Sequence, residues 1–215
     1  KLIDIQNKIQ EKSKTLDYVD FKTNVIAVSK TFPLKHIIPL INHGHLHFGE
    51  NKVQEAVDKW LDIKNDFKNI KLHMIGKLQS NKVKYAIPLF DYIHSVDNIK
   101  LAEKISAEQI KKNKKVKIFI QINIGNELQK SGIQKEGIEK FFKICKFDLN
   151  LDVIGLMCLP PKNTIDDSYF LEMLNLSKKI NVNELSMGMS DDYMTAIKYR
   201  ATFVRIGSKI FGNRS

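Results

Sequence analysis

Val25-Ile26-Ala27-Val28-Ser29-Lys30-Thr31 opens with five small or β-branched residues and ends on a lysine and a threonine. Apolar residues at consecutive positions, rather than alternating ones, describe a short strand buried on both faces, as in a parallel sheet. Lys30 then stands just past the carboxyl end of that strand, where α/β folds gather their chemistry. A lysine there can be desolvated by the strand, which favours a neutral amine able to attack an aldehyde and hold it as a Schiff base. The chain has 32 lysines and three arginines, so it is the position of Lys30 that singles it out.

Working outward, the same pattern repeats. Before the strand, Leu2, Ile5, Ile9 and Leu16 fall near helical spacing and predict an amphipathic helix over residues 2–16 that packs outside whatever follows. After it, Pro33 opens a helix with Ile37, Ile38 and Ile41 on one face, closed by Gly44. A second strand, residues 45–48, leads to a helix marked by Val53, Ala56, Val57, Trp60 and Leu61. Further strands are predicted at 71–75, 92–96, 116–123, 151–157, 183–187 and 203–206, with a helical segment after the sixth and seventh at 170–174 and 191–200. Asp97 is the expected cap of the helix that runs to Lys112. Eight strand-then-helix units in a row, with no linker between them, predict an α/β fold: a single-domain (β/α)8 TIM barrel over residues 1–215 with an extra N-terminal helix. A doubly wound open sheet would need fewer strands and a glycine-rich turn after the first.

Composition narrows the function classes. At 215 residues the chain fits one barrel of about 200–250 residues, and no apolar run approaches the roughly 18 residues of a membrane span. The start, Lys1-Leu2-Ile3-Asp4-Ile5, lacks the basic-then-apolar order of a signal peptide, and Cys145 and Cys158 read as small core hydrophobes, so a reducing cytoplasm is expected. The net charge of +11 raises nucleic acid as a partner. Its lysines are scattered, however, whereas phosphate and groove readers cluster their charge and lean on arginine with interleaved aromatics. Neither nucleic acid nor membrane is therefore expected as a partner. His43, His45 and His47 alternate, but no cysteine cluster or HExxH spacing accompanies them, and no metal is expected; His73 and His94 read as core or pocket residues.

In such a barrel the carboxyl ends of all eight strands share one mouth. Lys30, Asn51, Met74, Ser186, Met187, Gly188, Ser190, Arg205, Gly207 and Ser208 are brought there. Loops after strands seven and eight are the usual phosphate cradle of this fold, and Gly188, Ser190, Gly207 and Ser208 have the small side chains and hydroxyls such a cradle needs. A phosphate cradle facing a strand-end lysine implies a phosphorylated aldehyde, of which pyridoxal 5′-phosphate is the common one. Arg205 would then donate to the pyridine nitrogen without being able to accept from it.

Seven segments, AVSKTFP (27–33), HFGENKVQE (47–55), HMIGKLQSNK (73–82), IQINIGNELQKSGI (120–133), GLMCLPP (155–161), LSMGMSDD (185–192) and VRIGSKIFGNR (204–214), together resemble the pyridoxal-phosphate homeostasis protein family, single-domain relatives of the alanine racemase N-terminal barrel. The resemblance implies that Lys30 forms the Schiff base and Arg205 meets the pyridine nitrogen. It also implies that Ser190, Gly207 and Ser208 hold the phosphate while Asn51, Met74, Ser186, Met187 and Gly188 line the pocket. Lys52 departs from the aromatic common after the GEN triplet, and Ser208 stands where threonine is usual, which keeps the hydroxyl. The family carries, buffers or hands over its cofactor, so the resemblance implies a non-catalytic binding protein, a cytoplasmic monomer whose partners include enzymes awaiting pyridoxal phosphate. The rival is an amino-acid racemase of the alanine racemase type. Such racemases add a β-domain carrying a second acid/base, and this sequence ends soon after the eighth strand.

Overall fold

Eight parallel strands close on themselves in sequence order, so that β1 pairs with both β2 and β8. They are β1 (Asn24–Val28), β2 (His47–Glu50), β3 (Lys71–Met74), β4 (Tyr92–Val96), β5 (Lys117–Ile122), β6 (Asp152–Cys158), β7 (Glu184–Met189) and β8 (Phe203–Ile206). The computed structural model describes residues 1–16, 22–161 and 167–212; Asn213 and Arg214 of the last sequence motif lie outside them. Helix α1 (Leu2–Lys14) precedes the barrel, and one helix follows each strand: α2 (Leu34–Asn42), α3 (Val53–Asp66), α4 (Val83–Leu89), α5 (Ile99–Lys112), α6 (Ile138–Lys143), α7 (Ser168–Lys179), α8 (Tyr193–Lys198) and α9 (Ser208–Phe211). The expected (β/α)8 barrel with its extra N-terminal helix is therefore the architecture observed.

Both faces of the strands are buried. Outward-facing residues such as Val25, Phe48, Leu72, Ile93 and Val204 pack with helix residues such as Ile37, Trp60, Ile105 and Ile197 in one large core. The inward faces form a second cluster of Ile26, Tyr92, Phe119, Met157 and Phe203 that fills the barrel. Each such side chain contributes about 1.5–3 kcal/mol when fully buried. No helix of the described residues is long and apolar enough to cross a membrane.

Several boundaries differ from the sequence reading, each for a local reason. The second strand starts at His47, not at residue 45. Gly44, at φ +87, closes α2 by a Schellman motif in which the His45 and Gly44 amides bond to the Leu40 and Ile41 carbonyls, so the chain is still capping the helix at His45. Helix α5 is capped by Asn98, whose side chain accepts from the Leu101 amide at 2.9 Å, and not by Asp97, whose carboxylate instead receives the Asn98 amide. At the seventh strand the ladder runs on to Met189, with a register shift around Gly188 at φ +89. A Cβ at Gly188 would lie 2.7 Å from that of Ala196, so only glycine lets α8 sit against this strand end.

Candidate functional site

The lysine turn is built on a buried polar network. Ser29 extends the β1 ladder by donating its amide to the Gly49 carbonyl, and Phe32 turns back onto the Ser29 carbonyl. Between them Lys30 is half-buried, and Thr31 sits at φ +67, a left-handed conformation that strains a β-branched residue. What holds Thr31 there is the Glu55 carboxylate, which accepts its amide. Behind the turn the fully buried Glu50 Oε1 accepts from Ser29 Oγ at 2.7 Å, Trp60 Nε1 at 2.9 Å and Lys59 Nζ at 3.0 Å. Lys59 also donates to the Ser29 carbonyl and to Glu55, tying α3 to both residues that flank Lys30. Burial pushes the Glu50 carboxyl above the ordinary range, while its bonds to Trp60, Lys59 and Ser29 pull it back.

At the carboxyl end of the barrel a cleft of about 660 Å³ is lined by Lys30, Asn51, Ser190, Arg205, Gly207 and Ser208 together with Lys130, Met189 and Asp191. Its floor is Arg205, only 5% exposed. Arg205 Nη1 donates to the Ser186 carbonyl at 2.6 Å and to Ser186 Oγ at 2.8 Å, and Nη2 donates to the Cys158 carbonyl at 2.8 Å. Those bonds leave the Nε–H and one Nη2–H for a ligand. Among the described residues no carboxylate forms an ion pair with it, which is costly for so deeply buried a cation unless something else meets it. Burial lowers its pKa from the usual value, but a guanidinium keeps its proton at neutral pH. At the rim Ser208 Oγ lies 3.1 Å from Ser190 Oγ, so the loops after β7 and β8 bring two hydroxyls side by side.

Of the ten residues singled out in the sequence, six therefore line the cleft. The other four do not line it: strand alternation turns Met74 and Met187 outward into the core between strands and helices, Ser186 is fully buried beneath Arg205, and Gly188 packs against Ala196 of α8. Gly76 holds Asn51 in place, since a Cβ there would lie 2.3 Å from the Asn51 carbonyl oxygen. The sequence reading gave no role to Glu50, Glu55 and Lys59 and took Trp60 only as a helix-face residue, although Glu50 and Glu55 lie inside the quoted HFGENKVQE segment. Lys130 was missed as well; it reaches the cleft from the loop after β5, paired with Glu127 and bonded to the Pro160 carbonyl at 3.1 Å. Among the described residues no group of three or more His, Cys, Asp or Glu is placed to hold a metal.

Fold and cleft together define a (β/α)8 binding barrel with a lysine at the first strand end and a buried arginine on the last. The chain belongs to the alanine racemase N-terminal domain family, whose profile matches residues 3–215. It is 36% identical to the pyridoxal phosphate homeostasis protein of Haemophilus influenzae, covering 98% of this chain and 93% of that protein. Among solved structures, PipY of Synechococcus elongatus PCC7942 with pyridoxal phosphate bound is 31% identical at a TM-score of 0.81, covering 95% of this chain and 100% of that one. Alanine racemase of Clostridium difficile 630 reaches a TM-score of 0.71 at 16% identity, over 98% of this chain and 57% of the racemase, a likeness of fold alone.

Proposed function

We propose that this protein binds pyridoxal 5′-phosphate through Lys30 and takes part in holding and handing over that cofactor inside the cell, without turnover of its own. The observation that carries the reading is Arg205: a buried guanidinium with no carboxylate ion pair among the described residues, on the floor of a cleft that has Lys30 and the Ser190–Ser208 hydroxyl pair among its lining residues. The bound cofactor supplies an aldehyde that a lysine amine can hold covalently and a pyridine ring that draws electrons from an attached carbon. Lys30 is the amine, placed by the strained Thr31 turn. Ser190, Ser208 and the Gly207 backbone offer hydrogen bonds to the phosphate. Arg205 would donate to the ring nitrogen and, having no lone pair to accept from it, would keep that nitrogen without a proton and the ring a weak electron sink. Asn51 completes the lining, and Ser186 supports Arg205 from beneath.

The absence of turnover is argued from the same residues. Proton abstraction from both faces of a carbon needs a base on each face. Among the described residues that line the cleft there is no tyrosine, histidine or cysteine; besides Lys30 the acid/base groups there are Lys130, whose ammonium is tied to Glu127 and a backbone carbonyl, and the Asp191 carboxylate. Buried Cys145 and Cys158, both with thiols pushed up to about 12, suit a reducing cytoplasm. On this reading the chain acts as one domain and as a monomer, with apo forms of pyridoxal-phosphate enzymes as its recipients.

The test is borohydride reduction of the loaded protein followed by peptide mapping. Label on Lys30, and loss of the reducible visible band in Lys30→Ala, is the expected result; label on Lys52 or Lys77 would overturn the assignment. Loaded protein should also reactivate an apo-aminotransferase, and rapid Cα deuterium exchange of both alanine enantiomers would instead mark it as a racemase.

A further inference from the structure

Inside the barrel, beneath the cleft, three histidines from consecutive strands form an unbroken line of hydrogen bonds. His47 Nδ1 lies 2.9 Å from His73 Nε2, His73 Nδ1 lies 2.9 Å from His94 Nε2, and His94 Nδ1 lies 2.8 Å from Ser186 Oγ. Ser186 Oγ is the atom that accepts from Arg205 Nη1. The line climbs with the tilt of the barrel, because His73 is paired in register with Gly49, two residues beyond His47, and with Tyr92, two residues before His94. Stacking fixes the upper rings, His73 on Tyr92 and His94 on Phe119, each at 4.2 Å between centroids. The lower end, His47, reaches a second cleft at the opposite mouth of the barrel.

Arg205 leaves these bonds one direction. A guanidinium only donates, so Ser186 Oγ spends a lone pair on it and has a single hydrogen to place. Ser186 is fully buried, and His94 Nδ1 is the acceptor within reach of that hydrogen. Were Nδ1 protonated, two donors would converge on Ser186 Oγ and the buried hydroxyl hydrogen would have no acceptor among the described residues. His94 is therefore protonated on Nε2, which requires His73 Nδ1 to accept; His73 then carries its own proton on Nε2, and His47 Nδ1 accepts in turn. Burial, and for His94 the nearby Arg205 charge, hold the two upper imidazoles well below their ordinary range, which agrees with neutral rings.

We propose that His94, in the Nε2–H tautomer that His73 and His47 continue by accepting and donating in turn, is a positioning residue for the cofactor's ring nitrogen: acting through Ser186, it orients the Arg205 guanidinium toward the cleft. This rests on the reading that Arg205 meets that nitrogen. Two measurements test it. In cofactor-free protein with 15N-labelled histidine, long-range proton–nitrogen spectra at neutral pH should show Nδ1 of His47, His73 and His94 as bare acceptors and Nε2 as protonated; a protonated Nδ1 on His94 overturns the proposal. In protein loaded with cofactor labelled at the pyridine nitrogen, His94→Phe should weaken binding about tenfold and move the ring 15N resonance toward that of a nitrogen lacking a donor. His94→Asn should recover both, since the amide oxygen it introduces still accepts from Ser186. A wild-type resonance showing a hydrogen bond that His94→Phe leaves unchanged overturns this proposal alone, whereas a wild-type ring nitrogen without any hydrogen bond overturns the Arg205 reading with it. Should His94→Phe fail to fold, the wild-type tautomers decide.

Discussion

Lowering the pH from 7 to 5 should destabilise the cofactor-free protein by an unusual amount. Burial lowers His45 and His47 from 6.5 to about 4, and holds the fully buried His73 and His94 well below 6.5. A depressed folded pKa in a base means that the unfolded chain binds more protons between the two values, so stability falls as pH drops from about 6.5 towards 4. At pH 5 each imidazole that stays neutral in the fold and ionises out of it accounts for about 2 kcal/mol. Four of them would sum to about 8 kcal/mol. The unfolded chain, at net charge +11, resists taking up further protons, so roughly 4–7 kcal/mol is the expected range. Glu50 works the other way, since its raised pKa lets the folded state take a proton more readily as pH falls. Against a total stability of about 5–15 kcal/mol, the loss is a large fraction. Urea unfolding at pH 7, 6 and 5 measures it: with a slope of about 2 kcal/mol per molar, the midpoint should drop by at least ~2 M. His45→Gln, outside the histidine line, should remove about a quarter of the pH dependence. A midpoint that moves by less than about 0.5 M would refute the claim that these rings are buried neutral.

Two further outcomes concern the cleft. Replacing both Ser190 and Ser208 by alanine should weaken pyridoxal phosphate much more than unphosphorylated pyridoxal, each lost bond to a charged group being worth about 1.5–3 kcal/mol; equal weakening of the two ligands would place the phosphate elsewhere. Gly76→Ala should cost about 1–3 kcal/mol in urea unfolding and weaken cofactor binding, because the new Cβ would meet the Asn51 carbonyl at 2.3 Å and push that residue out of the cleft wall; unchanged values of both would show that Asn51 is not held by this contact.

The eight-unit pattern was legible because doubly buried strands need runs such as Val25–Val28 and Ile118–Ile122, and helices need spaced stripes such as Val53, Ala56 and Trp60. Strand starts and caps were less legible. Asp97 and Asn98 are adjacent short polar residues of equal promise as caps, and which one adopts the extended conformation depends on how β4 delivers the chain. Residues 45–48 read as strand in the repeating pattern, yet the helix before them claims the His45 amide.

The cleft divides in the same way. By itself the sequence determined that Lys30 follows a buried strand, that glycines and serines end the seventh and eighth, and that Arg205 is the rare arginine within an apolar strand, because each is a property of a residue and its near neighbours. Closure of the barrel alone decided that Arg205 lies on Ser186, that Ser186 lies on His94 across 92 residues of chain, and that Glu50 bonds to Ser29 across 21. Those contacts join strands and helices far apart in the chain, and only the shared interior of a closed sheet brings such groups within 3 Å of one another.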